Sequence, residues 1–176
     1  YRVDQTYHGT PSGIDNTVIT YAKPVMFTRG QPFEHLTVAH PFTIVIGNTG
    51  IIASTGVVVG DLRQRWTAAP DGYEPLFDRI GAVAREARRI IEYGRPEEMG
   101  PLMNANHRLL REIDVSSVEL DRLVDAALAA GALGAKMSGA GRGGNMIALA
   151  RAEQAADVAR ALRAAGATQT IVTQVD

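Results

Sequence analysis

Apolar positions along the chain recur with two different periods. From Phe42 to Ile46 the run Phe-Thr-Ile-Val-Ile is β-branched and bounded by Pro41 and Gly47, which predicts a buried strand. Further on, Leu76, Phe77, Ile80, Val83, Ala84, Ala87, Ile90 and Ile91 return every three or four residues, with Arg79, Arg85, Glu86, Arg88 and Glu92 on the other face. This spacing predicts an amphipathic helix ending at Gly94. A second helix is expected around Met99, Leu102, Met103, Leu109 and Leu110. A third should start at a Ser116-Ser117-Val118-Glu119 capping box and stop at Gly131. In the last third, Ala135 to Ser138 and Met146 to Leu149 read as strands flanking a glycine-dense loop. Ala152 to Ala165 reads as a helix closed by Gly166, and Thr170 to Val175 as a final strand. Residues 1–40 fit short strands and loops. The order strand, helices, strand pair, helix, strand predicts a two-layer α+β fold with an antiparallel sheet covered on one face.

Composition narrows the function classes. The 176 residues have 45% hydrophobic and 21% charged content, typical of a globular chain that can bury a core. Eighteen Lys+Arg against nineteen Asp+Glu leave a formal charge of -1, so no global positive excess points to nucleic acid or an anionic membrane surface. With no cysteine, disulfide scaffolds, thiolate zinc sites and Cys nucleophiles are excluded. No apolar run approaches a membrane span and the N-terminus has no signal-peptide core, so a cytoplasmic location is the expectation. The chain begins at Tyr1 rather than Met, which suggests a piece of something longer.

Two segments could carry chemistry. Gly139-Ala140-Gly141-Arg142-Gly143-Gly144 formally satisfies G-x-G-x-x-G, but the dinucleotide reading needs a helix next, and Asn145 to Ala150 reads as a strand. The phosphate loop G-x-x-x-x-G-K-[ST] is absent, since neither Lys23 nor Lys136 has that context. The glycine run is therefore either a hairpin turn or a cradle of backbone N–H groups for an anion, with Ser138 and Arg142 as further donors. The second segment holds Asp4, His8, Gly9, Pro11, Ser12, Gly13 and Asp15. Asp15 could orient or deprotonate a substrate hydroxyl, or could cap a turn. The residues alone leave both choices open.

Taken together, the segments resemble a known pattern. His8-Gly9-Thr10-Pro11-Ser12-Gly13-Ile14-Asp15 and Lys136-Met137-Ser138-Gly139-Ala140-Gly141-Arg142-Gly143-Gly144 are similar, in this order, to the second and third signature motifs of the GHMP small-molecule kinases. Those motifs read H-G-x-P-S-G-x-D and K-[LIM]-[ST]-G-A-G-x-G-G, and the likeness is strongest to the family's mevalonate-phosphorylating branch. Asn48 to Thr55 resembles its strand-to-helix substrate loop, and Met103-Asn104-Ala105-Asn106-His107-Arg108-Leu109-Leu110 its Asn-rich helix. The resemblance implies a ferredoxin-like C-terminal domain over 41–176, with residues 1–40 as the end of an N-terminal catalytic lobe. It implies transfer of the ATP γ-phosphoryl group to a small-molecule hydroxyl in isoprenoid biosynthesis, mevalonate first, with Mg2+ as cofactor. On the same footing Asp15 would be the catalytic carboxylate, and Asp4 would take the place of the family's magnesium-binding glutamate. His8, Ser12 and Thr55 would lie near the substrate, and Ser138, Gly139, Ala140, Gly141, Arg142, Gly143 and Gly144 would line the cleft. A homodimer fits the same picture.

The departures are specific. Arg142 interrupts a loop that is often all glycine in the family, where it would either contact phosphate or face solvent. Ala53 stands where an arginine is common. Val57-Val58-Val59 reads as strand by propensity, whereas the resemblance makes it the start of a helix. Nothing in the chain matches the family's first motif, the loop that wraps the ATP phosphates. The expectation is therefore the C-terminal part of a kinase, inactive by itself. Phosphomevalonate, homoserine or sugar kinases of the same family are the alternatives, as is a non-catalytic ligand-binding or dimerisation module.

Overall fold

A computed structural model describes residues 24–28 and 30–176. The expected site residues Asp4, His8, Ser12 and Asp15 lie outside the described residues. A short hairpin, β1 (Val25–Met26) with β2 (Glu34–His35), precedes the main sheet. It is tied to the body of the fold where Arg88 meets Glu34 at 2.8 Å. Four strands then form one antiparallel sheet: β3 (Phe42–Asn48), β4 (Gly134–Ser138), β5 (Asn145–Ala150) and β6 (Gln169–Val175), in the order β4-β5-β3-β6. Between β3 and β4 run α1 (Thr55–Ala68), α2 (Pro70–Tyr93), α3 (Met99–Glu112) and α4 (Val118–Ala129), and α5 (Ala155–Ala164) links β5 to β6. A strand, a helical crossover, a hairpin, a second helical crossover and a last strand beside the first make the split βαβ arrangement expected of a ferredoxin-like fold.

The buried positions explain why the sheet has this register. Val45 pairs with Ala148 and Val172, and Ala148 pairs with Ala135, so one row of small and branched side chains faces α4 and α5. Leu120, Leu123 and Ala127 of α4 and Val158 and Leu162 of α5 close over it, each at most 1% exposed. The opposite face is not bare. Leu149, at 1% exposure, packs with Ile90 of α2 and Met99 of α3, so a second small core covers one corner of the face expected to be open.

Several expected boundaries shift for local reasons. The helix predicted from Leu76 begins at Pro70, because proline at the first helical position loses no hydrogen bond and its φ is already helical. Residues 57–59 are helical within α1: only Val58 of the three is buried, and tertiary packing outweighs the β preference of valine. The cap of α4 is Ser117, whose Oγ accepts from Leu120 N–H at 3.3 Å, while Ser116 Oγ donates to Asp121 Oδ1 at 2.6 Å. At the other end of the chain a single 3-10 turn, Ala152–Gln154, precedes α5.

The sheet order leaves β4 at an edge, where outward N–H groups need partners. Helix α3 supplies them: Ala135 N–H donates to Asn104 Oδ1 at 2.9 Å, and Met137 N–H donates to His107 Nδ1 at 3.3 Å. The helix comes this close because Gly100 and Gly134 face each other. A β-carbon on Gly100 would lie 2.2 Å from Leu133 O, and one on Gly134 2.2 Å from Gly100 O. Because His107 Nδ1 accepts, its proton sits on Nε2, 3.1 Å from Asp121 Oδ1 on α4. Arg111 Nε holds the other oxygen of Asp121 at 3.0 Å.

This edge contact is directly testable. Asn104→Ala leaves the Ala135 N–H without its partner and should cost about 1–3 kcal/mol in urea unfolding. Burial also pushes the His107 imidazole below its ordinary value of 6.5, against the raising pull of Asp121. The unfolded chain therefore binds that proton more readily, so the contribution is complete above the unfolded value and is lost as the pH falls through the lowered native one. Unfolding free energies should decline as the pH falls below about 6.5, and His107→Gln should remove that part of the slope. Equal slopes in the two proteins would contradict the arrangement.

Candidate functional site

At one end of the sheet, β3 finishes, the β4–β5 hairpin turns, and α1 begins. The residues there enclose a cavity of about 350 Å³. Asn48 and the 50–55 segment form one wall, with Thr55 at its end. Ser138, Gly139, Ala140, Gly141, Gly143, Gly144 and Asn145 form the other. Thr55 and six of the seven expected loop residues are thus brought together around one space. Arg142 is the exception, since its side chain turns away from the cavity. A larger depression of about 700 Å³ lies at the opposite end of the sheet near Phe42 and Gln174, and it holds none of the expected site residues.

The loop takes its shape from a run of positive φ angles: Gly139 (97°), Gly141 (102°), Arg142 (54°), Gly143 (146°) and Gly144 (75°). Glycine is required at two of these positions by contact as well as by angle. A β-carbon on Gly141 would lie 1.9 Å from Val115 O, and one on Gly143 would lie 2.7 Å from Ile51 O. Backbone hydrogen bonds fasten the loop on both sides: Arg142 N–H donates to Val115 O at 2.9 Å, and Gly144 N–H donates to Ile51 O at 2.9 Å. On the same side as Ile51, Thr49 N–H donates to Gly144 O at 2.9 Å. Below it, Asn48 Nδ2 donates to Asn145 Oδ1 at 2.6 Å and joins the ends of β3 and β5.

This leaves a set of donors without acceptors. Among the described residues, the N–H groups of Gly139, Ala140, Gly141 and Gly143 make no hydrogen bond. The cavity also meets the N-terminus of α1, where Ser54 provides no side-chain cap and the first turn has no acidic residue. Backbone N–H groups and the positive end of a helix dipole both favour an anion. A plain hairpin turn has no use for such a concentration of donors, so the cradle reading of the glycine run is the one the geometry supports.

The charges sit just outside the cavity. Arg142 reaches Asp61 Oδ2 on α1 at 2.5 Å and Asp114 Oδ2 at 3.2 Å, and the Asp61 hydrogen bond is the main reason its pKa rises above the ordinary value. Arg65 meets the same Asp114 oxygen at 2.9 Å and donates to Ile113 O at 3.0 Å. Lys136 Nζ donates to Met137 O at 2.8 Å, and burial lowers its pKa. Among the described residues, no group of three or more His, Asp or Glu could hold a metal ion, and no helix is long and apolar enough to cross a membrane. Sequence reasoning did not find Asp61, Arg65, Asp114 or the roles of Asn104 and His107. The one available signal was a pair of polar residues, Asn104 and His107, three apart in an amphipathic helix.

Two positions of the loop predict different costs for the same substitution. Gly139→Ala and Gly141→Ala share a positive φ, but only the second drives a methyl into a carbonyl. Gly139→Ala should cost roughly 1–2 kcal/mol in urea unfolding, and Gly141→Ala clearly more. Equal losses would mean that the loop is not pressed against Val115.

Known proteins match this chain from both directions. The family model for the C-terminal region of GHMP kinases matches residues 82–168. The mevalonate kinase of Pyrococcus abyssi is 40% identical over 97% of this chain and 52% of its own length, and that of Thermococcus gammatolerans is 41% identical with the same coverage. The chain thus spans about half the length of the curated relatives it matches. Among solved structures, L. major mevalonate kinase in complex with R-mevalonate superposes with a TM-score of 0.92 at 37% identity, over 98% of this chain and 55% of that one. The mevalonate kinase of Staphylococcus aureus MRSA252 follows with a TM-score of 0.71 at 29% identity, over 96% of this chain and 54% of that one. The strand order, the glycine loop and these matches agree: over residues 82–168 this chain matches the C-terminal domain of GHMP kinases.

Proposed function

We propose that this chain is the C-terminal portion of an ATP-dependent mevalonate kinase, with residues 1–40 ending the catalytic lobe and 41–176 forming the C-terminal domain. The observation that carries this reading is the cavity between the glycine loop and the N-terminus of α1, whose free N–H groups suit an anionic ligand. Similarity to mevalonate kinases over nearly the whole chain supports the choice of substrate.

In this reading the hydroxyl of mevalonate attacks the γ-phosphorus of ATP, an O–P bond forms, and the bond to the ADP oxygen breaks. The hydroxyl proton passes to Asp15, which also orients the nucleophile. Such transfers gain most of their rate from positioning and from stabilising charge on the phosphoryl oxygens. The loop N–H groups contribute the second effect, because they are fixed before substrate arrives. His8, Ser12 and Thr55 contact the substrate. Magnesium would neutralise phosphate charge, with Asp4 as its ligand. The described residues offer hydrogen-bond donors rather than a carboxylate cluster, so this assignment rests on Asp4 alone.

The test is Asp15→Asn in the full-length protein. Turnover of ATP and mevalonate should fall by about 10²–10⁴-fold, with little change in melting temperature. Turnover near that of the unmodified protein would overturn the assignment.

A further inference from the structure

Of the two non-glycine positions in the run 139–144, Ala140 and Arg142, only Arg142 has a side chain that can carry charge, and it has two carboxylate partners. Arg142 sits at φ 54°, a left-handed conformation that glycine adopts freely and arginine does not. If the position needed only that backbone shape, glycine would serve it better. The side chain must therefore be doing something, and its partners indicate what. One guanidinium nitrogen is 2.5 Å from Asp61 on α1, and the other is 3.2 Å from Asp114 in the turn between α3 and α4. These partners stand 81 and 28 residues away in sequence, on two elements that approach the loop from different directions. Asp114 is itself left-handed, at φ 57°, and Arg65 of α1 grips the same carboxylate oxygen at 2.9 Å. Four charged groups thus form a circuit, Asp61–Arg142–Asp114–Arg65, that leaves α1 and returns to it about one turn further on.

Resting on the kinase reading above, we propose that Arg142 is a positioning residue: it locks the glycine loop to α1 and to the α3–α4 turn, so that the loop N–H groups face the phosphoryl group in one fixed arrangement. It is neither a phosphate ligand nor a solvent-facing passenger. Both of its terminal nitrogens are occupied by carboxylates, and its side chain does not line the cavity. The neighbouring anchors act on the backbone only, through Val115 O and Ile51 O. Among the described residues, the circuit is the one ion-paired restraint on the run 139–144, beside the Thr49 Oγ1 hydrogen bond to Gly144 O at 3.1 Å. Its members are partly exposed, with side-chain exposures of 30% for Arg142, 42% for Asp61 and 70% for Asp114. Exposed ion pairs add little to global stability. The expected consequence is therefore local order, not a higher melting temperature.

The test uses Arg142→Gly in the full-length protein, since glycine keeps the left-handed backbone and removes only the guanidinium. Without ligand, amide hydrogen exchange in peptides covering 138–145 should accelerate about tenfold at the hydrogen-bonded positions 142 and 144, with little change in melting temperature. Asp61→Asn should accelerate the same peptides, and adding it to Arg142→Gly should have no further effect. In turnover, kcat should fall about tenfold while the KM values for ATP and mevalonate stay within about twofold, and Arg142→Lys should recover part of the loss by keeping one carboxylate contact. Unchanged exchange in Arg142→Gly would overturn the proposal, because the backbone anchors would then suffice. A raised KM for ATP with kcat retained would also overturn it, by making Arg142 a phosphate ligand. Exchange is read without substrate, so an accelerated loop in a protein that phosphorylates nothing would refute the kinase reading and leave the lock intact.

Discussion

An edge strand with unpaired N–H groups must be covered, and the way β4 is covered decides where the rest of this structure lies. The side chains of Asn104 and His107 replace a neighbouring strand, and Gly100 and Gly134 let the helix come close enough for them to reach. Once α3 lies along that edge, its C-terminal end and the turn at Asp114 and Val115 arrive beside the β4–β5 hairpin. Val115 O then accepts from Arg142 N–H, and Asp114 receives the Arg142 and Arg65 side chains. The glycine loop is thus positioned from below by its own strands and from the side by a helix that the edge requirement put in place.

The chemistry follows from the same constraint. A loop that presents four free N–H groups is useful only if they are held still, since donors that must reorganise stabilise developing charge poorly. Val115 and Ile51 press against opposite sides of the loop at Gly141 and Gly143, and the charged circuit through Arg142 ties it to α1. That helix also turns its N-terminus toward the cavity, so one element both restrains the loop and adds to the proposed anion site. His107 connects this arrangement to α4 through Asp121, which makes the protonation state of one imidazole part of the support beneath the loop.

Much of the fold was legible in the sequence. The β-branched run at Phe42, the three- and four-residue periodicity ahead of Gly94, and the glycine-flanking strands all appear near their expected positions, because each is a local pattern with one dominant cause. Rejection of a dinucleotide fingerprint held for the same reason, since Asn145–Ala150 is a strand and not a helix. What could not be read depends on partners distant in sequence. Nothing near Arg142 announces Asp61 or Asp114, and no spacing rule assigns Asn104 and His107 to an edge strand about thirty residues later. Ser116 and Ser117 illustrate the short-range limit: both suit a cap, and only the demand of Asp121 for a donor decides which one caps α4.

Hydrogen exchange at single amides tests the edge contact most directly, by comparing Ala135 and Met137 on β4 with the amides of β6 that point away from β3. Both sets lie at sheet edges, so geometry alone would make them equally open to solvent. The account predicts that the Ala135 and Met137 amides exchange as slowly as core amides of β3 and β5, and that the outward amides of β6 exchange orders of magnitude faster. If Ala135 and Met137 exchanged at the rate of the outward β6 amides, α3 would not be holding the edge, and the support proposed for the glycine loop would be wrong.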